Sequence, residues 1–260
     1  MVATYLDALG DFHRRRAAAD DRDWRARLDS LAPVGPSLEA ALRADPGHVA
    51  VIAEVKRKSP SKGWLAPDID AAVLARQYEA AGAAAISVLT DTEHFGGSLD
   101  DLRAVSSAVS VPRLRKDFTV CENDILDAAE AGAGAVLLIV ALLTDEELSR
   151  FSRLATRVGL DALIEVHDAP EVDRARAIGA TLIGINQRDL HSFHVDTDRA
   201  ARLAASLPDD VVRVCESGLA SRADVERAAG AGFHAVLVGE AFVTSSDPSA
   251  TVREFTSVTR

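Results

Sequence analysis

Short apolar runs of β-branched and aliphatic residues recur along almost the whole chain. They are Val49–Val55, Ala84–Leu89, Val111–Arg115, Ala135–Val140, Ala162–Val166, Thr181–Ile185, Val211–Cys215 and Ala235–Val238. Each is too short for a helix and mostly apolar on both faces, as in a parallel strand covered on both sides. Between them lie amphipathic segments such as Ala71–Ala81, Glu122–Ala131 and Asp145–Val158, at the spacing of a β-helix-β step. A second signal is independent of hydropathy. Ala81–Ile86, Ala131–Val136, Ile178–Ile183 and Ala231–Val236 each set a glycine after a helical segment and an aliphatic run just beyond it, with Val158–Ala162 a looser copy. Glycine suits a helix end because the next residue commonly takes positive φ. Eight units of this kind predict an α/β chain folded as a (β/α)8 barrel, with a doubly wound open sheet as the alternative.

Residues 1–48 precede the first unit. They predict helices over Tyr5–Ala19 and Trp24–Leu31, a break at Pro33–Pro36 and a further helix over Ser37–Arg43. We read them as an N-terminal helical extension packed on a barrel of residues 49–260, a single domain overall. The length of 260 residues suits that architecture.

Composition narrows the function. Hydrophobic residues at 48% and charged residues at 27% exclude a disordered chain. With 29 Lys and Arg against 40 Asp and Glu, the net charge of −11 argues against nucleic-acid or anionic-membrane partners. No apolar run approaches the roughly 20 residues of a membrane span, and the first residues lack the pattern of a secretory leader. Cys121 and Cys215 show neither CxxC nor metal-ligand spacing, so a reducing cytoplasm is expected. The seven histidines lie on different segments, and His191 and His194 read as surface loop, so no metal is expected. No glycine-rich dinucleotide fingerprint follows the first strand, and no cofactor is expected.

In a (β/α)8 barrel the chemistry sits where strands end at their C-terminal side. Read there, the chain shows Glu54 and Lys56 through Gly63, then Lys116-Asp117-Phe118, Glu165, Asn186 through Leu190, Glu216-Ser217-Gly218, and Gly239-Glu240. Charges at the ends of apolar strands cost desolvation energy, so they need partners or a task. Glu54 and Lys56, two apart, project to one side of an extended strand, as an acid/base pair or an internal salt bridge. Ser217, Gly218, Gly239 and the backbone at Glu240 lie after the last two strands, where barrels often hold phosphate. A Schiff-base lysine, a phosphosugar isomerase and a silent ligand-binding barrel are the rival classes.

Several segments resemble indole-3-glycerol phosphate synthase. They are Ile52–Gly63 (IAEVKRKSPSKG), Ser87–Asp91, Phe95–Ser98, Leu114–Phe118 (LRKDF), Leu137–Val140, Glu165–His167, Ile185–Leu190 and Glu216–Gly218, in order over residues 48 to 245. The resemblance implies a TIM barrel and a phosphosugar substrate. It implies ring closure, decarboxylation and dehydration of 1-(2-carboxyphenylamino)-1-deoxyribulose 5-phosphate in tryptophan biosynthesis. It further implies Lys116 as principal general acid and Glu165 as general base, with Glu54 and Lys56 as the second carboxylate and ammonium. Ser59, Asn186, Arg188 and Glu216 would line the substrate pocket, Phe95, Phe118, Leu138 and Leu190 would form its apolar wall, and Ser217, Gly218, Gly239 and Glu240 would cradle phosphate. Two positions depart from the usual pattern: Trp64 is expected to cover the pocket or pack on the rim, and Gln187 stands where Asn is common. Arg14-Arg15-Arg16 is read as a solvated helix face, and the chain as a monomer or weak dimer.

Overall fold

The computed structural model describes residues 5–29, 31, 34–60, 62–188 and 195–260. Eight parallel strands close into one barrel: β1 Ala50–Val55, β2 Ala85–Leu89, β3 Arg113–Lys116, β4 Ala135–Ile139, β5 Asp161–Val166, β6 Leu182–Asn186, β7 Val212–Glu216 and β8 Ala235–Val238. Closure is made by β1, which pairs with β2 through Ile52 and Ala85 and with β8 through Ala50 and Ala235. The open-sheet alternative is therefore excluded. The glycines that mark the repeat take positive φ between helix and strand, Gly82 at 97° and Gly132 at 81° among them.

Two apolar layers hold the barrel. The outer layer lies between strands and helices and includes Val51, Ala53, Ile86, Val88, Val136, Leu138, Ile164 and Val236. The inner one fills the barrel with Ile52, Ala85, Leu114, Leu137, Ile139, Leu163, Leu182, Val214 and Leu237. Side chains alternate along each strand, so the inner parity is set: even residues of β1, β3, β6 and β7 and odd residues of β4, β5 and β8. One step above the inner apolar residues, the same parity delivers Glu54, Lys116, Glu165, Asn186 and Glu216.

The N-terminal helices reach both ends of the barrel. Helix Leu38–Arg43 buries Leu38 and Leu42 in the inner layer and meets the N-terminal strand ends, where Asp161 Oδ2 accepts from Ser37 Oγ and the Glu39 N–H. Helix Tyr5–Ala18 lies at the other end, burying Leu6 and Leu9. Its basic run is a docking face rather than a purely solvated one: Arg14 pairs with Glu147 at 2.9 Å and Arg16 with Asp124 at 2.6 Å. The sequence pattern shows only that these positions are polar; the acids that meet them lie more than 100 residues away.

Candidate active site

A cavity of about 530 Å³ opens at the C-terminal end of the barrel. Its floor is ionic. Lys116 Nζ lies 3.2 Å from Glu165 Oε2 and 3.4 Å from Glu216 Oε2, and Lys56 Nζ lies 2.9 Å from Glu54 Oε1. Asn186 Nδ2 donates to Glu165 Oε1 at 3.1 Å, and its Oδ1 accepts the Arg188 N–H at 3.0 Å. Ser87 Oγ donates to Glu54 Oε2 at 3.3 Å. Glu54, Glu165, Asn186 and Glu216 are buried. Ion pairs of this kind are often no more stabilising than apolar residues of similar volume. Their presence above a well-packed apolar interior points to chemistry rather than to stability.

The charges push one another apart in proton affinity. Burial opposes the charged form of Lys116, but Glu165, Glu216 and Glu54 around it raise its pKa, so it stays an ammonium. Burial likewise opposes ionised Glu165, yet Lys116 and His167 hold its carboxyl well below the usual range. Glu216 moves the other way: burial first, and the neighbouring Glu165 and Glu54, push its carboxyl up. Its Oε1 is also buried with no hydrogen-bond partner. Two carboxyls on one ammonium are thus driven in opposite directions, Glu165 toward the ionised form and Glu216 toward the protonated one.

Small residues make room for these side chains. A Cβ on Gly184 would come within 2.0 Å of Glu216 Oε1, and one on Gly239 within 2.5 Å of Glu54 Oε1 and 3.0 Å of Lys56 Nζ. At the end of β7 both Ser217 (φ 66°) and Gly218 (φ 71°) are left-handed, and Ser217 is the sole non-glycine with positive φ among the described residues. Strain of this kind in a side chain beside a cavity is a functional signal. Buried Gln187 holds the turn, its Nε2 donating to the Ser217 carbonyl at 2.7 Å.

Of the residues singled out in the sequence, Ser59, Phe95, Phe118, Arg188, Ser217, Gly218, Gly239 and Glu240 line the cavity with the ionic cluster. Glu240 turns its carboxylate to Lys62 of the loop after β1. Leu138 does not belong to the wall. It points outward into the helix layer, whereas Leu137 and Ile139 face the cavity, because the inner parity of β4 is odd. Leu190, His191 and His194 lie outside the described residues, as does Ser61. Trp64 packs on the rim: it is 59% exposed, its ring fills the space beside Gly96, and Lys58 Nζ sits 5.7 Å from its centroid.

The sequence reading missed Tyr5, Leu6 and Leu9, which complete the apolar wall from the N-terminal helix. The sequence predicts a helix there, but nothing local says which end of the barrel it covers. It also passed over His167, whose Nε2 lies 3.3 Å from Glu165 Oε1 and whose Nδ1 lies 3.0 Å from Glu171.

A family model described as "Indole-3-glycerol phosphate synthase" matches residues 10–255. Relatives described in the same words include one from Nocardioides sp., 50% identical over 95% of this chain and 94% of its own length. Another, from Micrococcus luteus, is 49% identical over 93% of this chain and 91% of its own. A third, from Koribacter versatilis, is 45% identical over 95% of each. Among solved structures, a thiamine phosphate pyrophosphorylase from Pyrococcus furiosus matches with a TM-score of 0.61 at 14% identity. It covers 80% of this chain and 93% of its own, a likeness of fold alone.

Proposed function

Because the chain belongs to the indole-3-glycerol phosphate synthase family, we propose that Lys116, Glu165, Glu54 and Lys56 carry the acid–base work of its reaction. The enzyme is a carboxy-lyase of tryptophan biosynthesis. It converts 1-(2-carboxyphenylamino)-1-deoxyribulose 5-phosphate to indole-3-glycerol phosphate with loss of CO2 and water. The observation that carries the assignment is Lys116 Nζ held 3.2 Å from Glu165 and 3.4 Å from Glu216 on the floor of the cavity.

The aromatic carbon bearing the carboxylate attacks the ketone carbon, and the ketone oxygen needs a proton as charge develops on it. Lys116 supplies that proton. Its raised pKa is no obstacle, since an alkoxide is far more basic than an amine. Loss of CO2 then returns the bonding electrons to the ring and restores its aromaticity. Dehydration needs the new hydroxyl protonated and a proton removed from the adjoining CH2–NH unit. Glu165 serves as base, and the Lys56–Glu54 pair across the floor lends the second ammonium. Glu216, its carboxyl pushed toward the neutral form by burial, turns its unpartnered Oε1 to the substrate.

Phe95, Phe118, Leu137, Leu6 and Leu9 take the anthranilate ring, and Arg188 its carboxylate. The turned N–H groups of Ser217 and Gly218, with the backbone at Gly239 and Glu240, take the phosphate; consecutive left-handed residues make such concave donor sets. The helices of residues 1–48 act with the barrel as one unit, since they supply part of the wall.

The test is to incubate the purified chain with the carboxyphenylamino-deoxyribulose phosphate and follow indole fluorescence. Product should form with the natural chain, and Lys116→Ala should lower kcat by at least about 10²-fold, the lower range for a positioned acid. Near-normal turnover by that variant would remove Lys116 from the chemistry.

A further inference from the structure

Beside the substrate cavity lies a second cluster, outside the residues assigned to the reaction. His13 of the helix Tyr5–Ala18 and Asp91 and His94, which follow β2, converge on one point. His13 Nε2 lies 2.8 Å from Asp91 Oδ2, and His94 Nδ1 lies 3.1 Å from the same oxygen. All three donor atoms fall within 4.8 Å of one another. We propose that His13, Asp91 and His94 form a binding site for a divalent transition-metal ion of zinc-like preference, through Nε2, Oδ2 and Nδ1.

Donor chemistry selects the class of ion. Two imidazole nitrogens with one carboxylate oxygen suit zinc and its neighbours, whereas magnesium and calcium require shells made mostly of oxygen. With bonds of about 2.0–2.1 Å, tetrahedral ligands stand about 3.3 Å apart. The two N···O contacts therefore need to open by only a few tenths of an ångström to admit the ion. Metal–ligand bonds would then replace two hydrogen bonds.

The ligands are held in place before any ion arrives. Asp91 caps the helix Thr92–Phe95, its Oδ1 accepting the N–H groups of His94 and Phe95, which leaves Oδ2 facing the two rings. Phe12 packs edge-on against both His13, at 5.2 Å, and His94, at 5.1 Å. On its other side His13 lies 4.8 Å from the Phe118 ring. His13 and Asp91 are buried, and His13 Nδ1 has no hydrogen-bond partner, so the ring is tied at Nε2 alone. Preorganisation of this degree lowers the entropic cost of binding.

Room and charge also agree. His13 and Asp91 open onto a cavity of about 330 Å³ that Thr90 and Glu93 also border, enough for water to complete the shell. Arg16 and Arg115 border it too, but each is matched by an acid: Arg16 by Asp124 at 2.6 Å and Arg115 by Asp117 at 2.7 Å. Occupancy would clamp the N-terminal helix to the helix Thr92–Phe95, whose Phe95 forms one edge of the cavity wall.

The experiment uses the full chain, freed of metal by a chelator and titrated with Zn2+ by calorimetry, with Co2+ as an optical probe. One ion per chain is expected, with a Tm that rises with free Zn2+ and a cobalt d–d spectrum lacking a thiolate charge-transfer band. His94→Gln, whose site is partly exposed, and His13→Gln should each weaken binding at least about 10-fold, as loss of a ligand must when even supporting residues cost that much. Circular dichroism checks that both remain folded. Absence of saturable binding, a thiolate band, or affinity unchanged in either folded variant would each overturn the site.

Discussion

At the scale of single residues, the cluster on Lys116 shows how two carboxyls in one place acquire different roles. Glu165 gains an ammonium, an amide and an imidazole; Glu216 gains a share of the ammonium and leaves one oxygen unpaired. His167 is the residue that tips this balance. Burial alone would lower its pKa, but contacts with Glu165 and Glu171 raise it from 6.5 to about 10. It is therefore a cation at neutral pH, fixed by Glu171, which also accepts its backbone N–H at 2.8 Å. His167→Asn removes that cation. The acid limb of the kcat/KM profile should then move to higher pH as Glu165 becomes harder to ionise; an unmoved limb would separate His167 from the base. Stability should respond on the alkaline side. A raised folded pKa gives stabilisation that is complete below the unfolded value of 6.5 and lost as pH rises through about 10. The variant's Tm should accordingly fall less than the natural chain's over that window.

At the scale of elements, β3 and the segment after it explain why LRKDF reads as a unit. Leu114 fills the barrel, Lys116 reaches the cavity, and Arg115 points the other way. Its guanidinium is fully buried and bonds Thr90 Oγ1 at 3.0 Å, Asp117 Oδ2 at 2.7 Å and the carbonyl of Asp124. Arg115 thus ties β3 to the loop after β2 and to the helix Glu122–Glu130. Arg115→Ala leaves Asp117 buried and uncompensated, and should cost about 3–5 kcal/mol in chemical denaturation. A loss below about 1 kcal/mol would mark the pair as a surface-like one. The parity of β4 carries the complementary lesson. The sequence shows five consecutive apolar residues in Ala135–Ile139, and a run apolar on both faces does not say which alternate set points inward. The family resemblance implies Leu138 in the wall, and Leu137 and Ile139 stand there instead.

At the scale of the whole molecule, the N-terminal segment is joined to the barrel at both ends. Leu38 and Leu42 seal the lower end, and Leu6 and Leu9 wall the substrate cavity at the upper end. Leu9→Ala should cost about 2–5 kcal/mol of stability. Because the removed surface lines the cavity, it should also raise KM; a stable variant with unchanged KM would place Leu9 outside the binding wall. The net charge of −11 does not describe the ligand. Lys56, Lys116 and Arg188 stand at the cavity, and that local placement, rather than the total, suits an anionic substrate.

The chain by itself determined the eight-unit repeat, the end of the barrel that carries chemistry, and nearly all of the polar site, because strand alternation and helix-ending glycines are local in sequence. What it could not determine is whatever depends on two distant segments meeting. The inward parity of an all-apolar strand, the wall from Leu6 and Leu9, the pairing of Lys62 with Glu240, and the convergence of His13 on Asp91 and His94 are all of this kind. Each is decided when the barrel closes and the first helix docks on its rim, since contact energy falls off within a few ångströms and leaves no periodic trace along the chain.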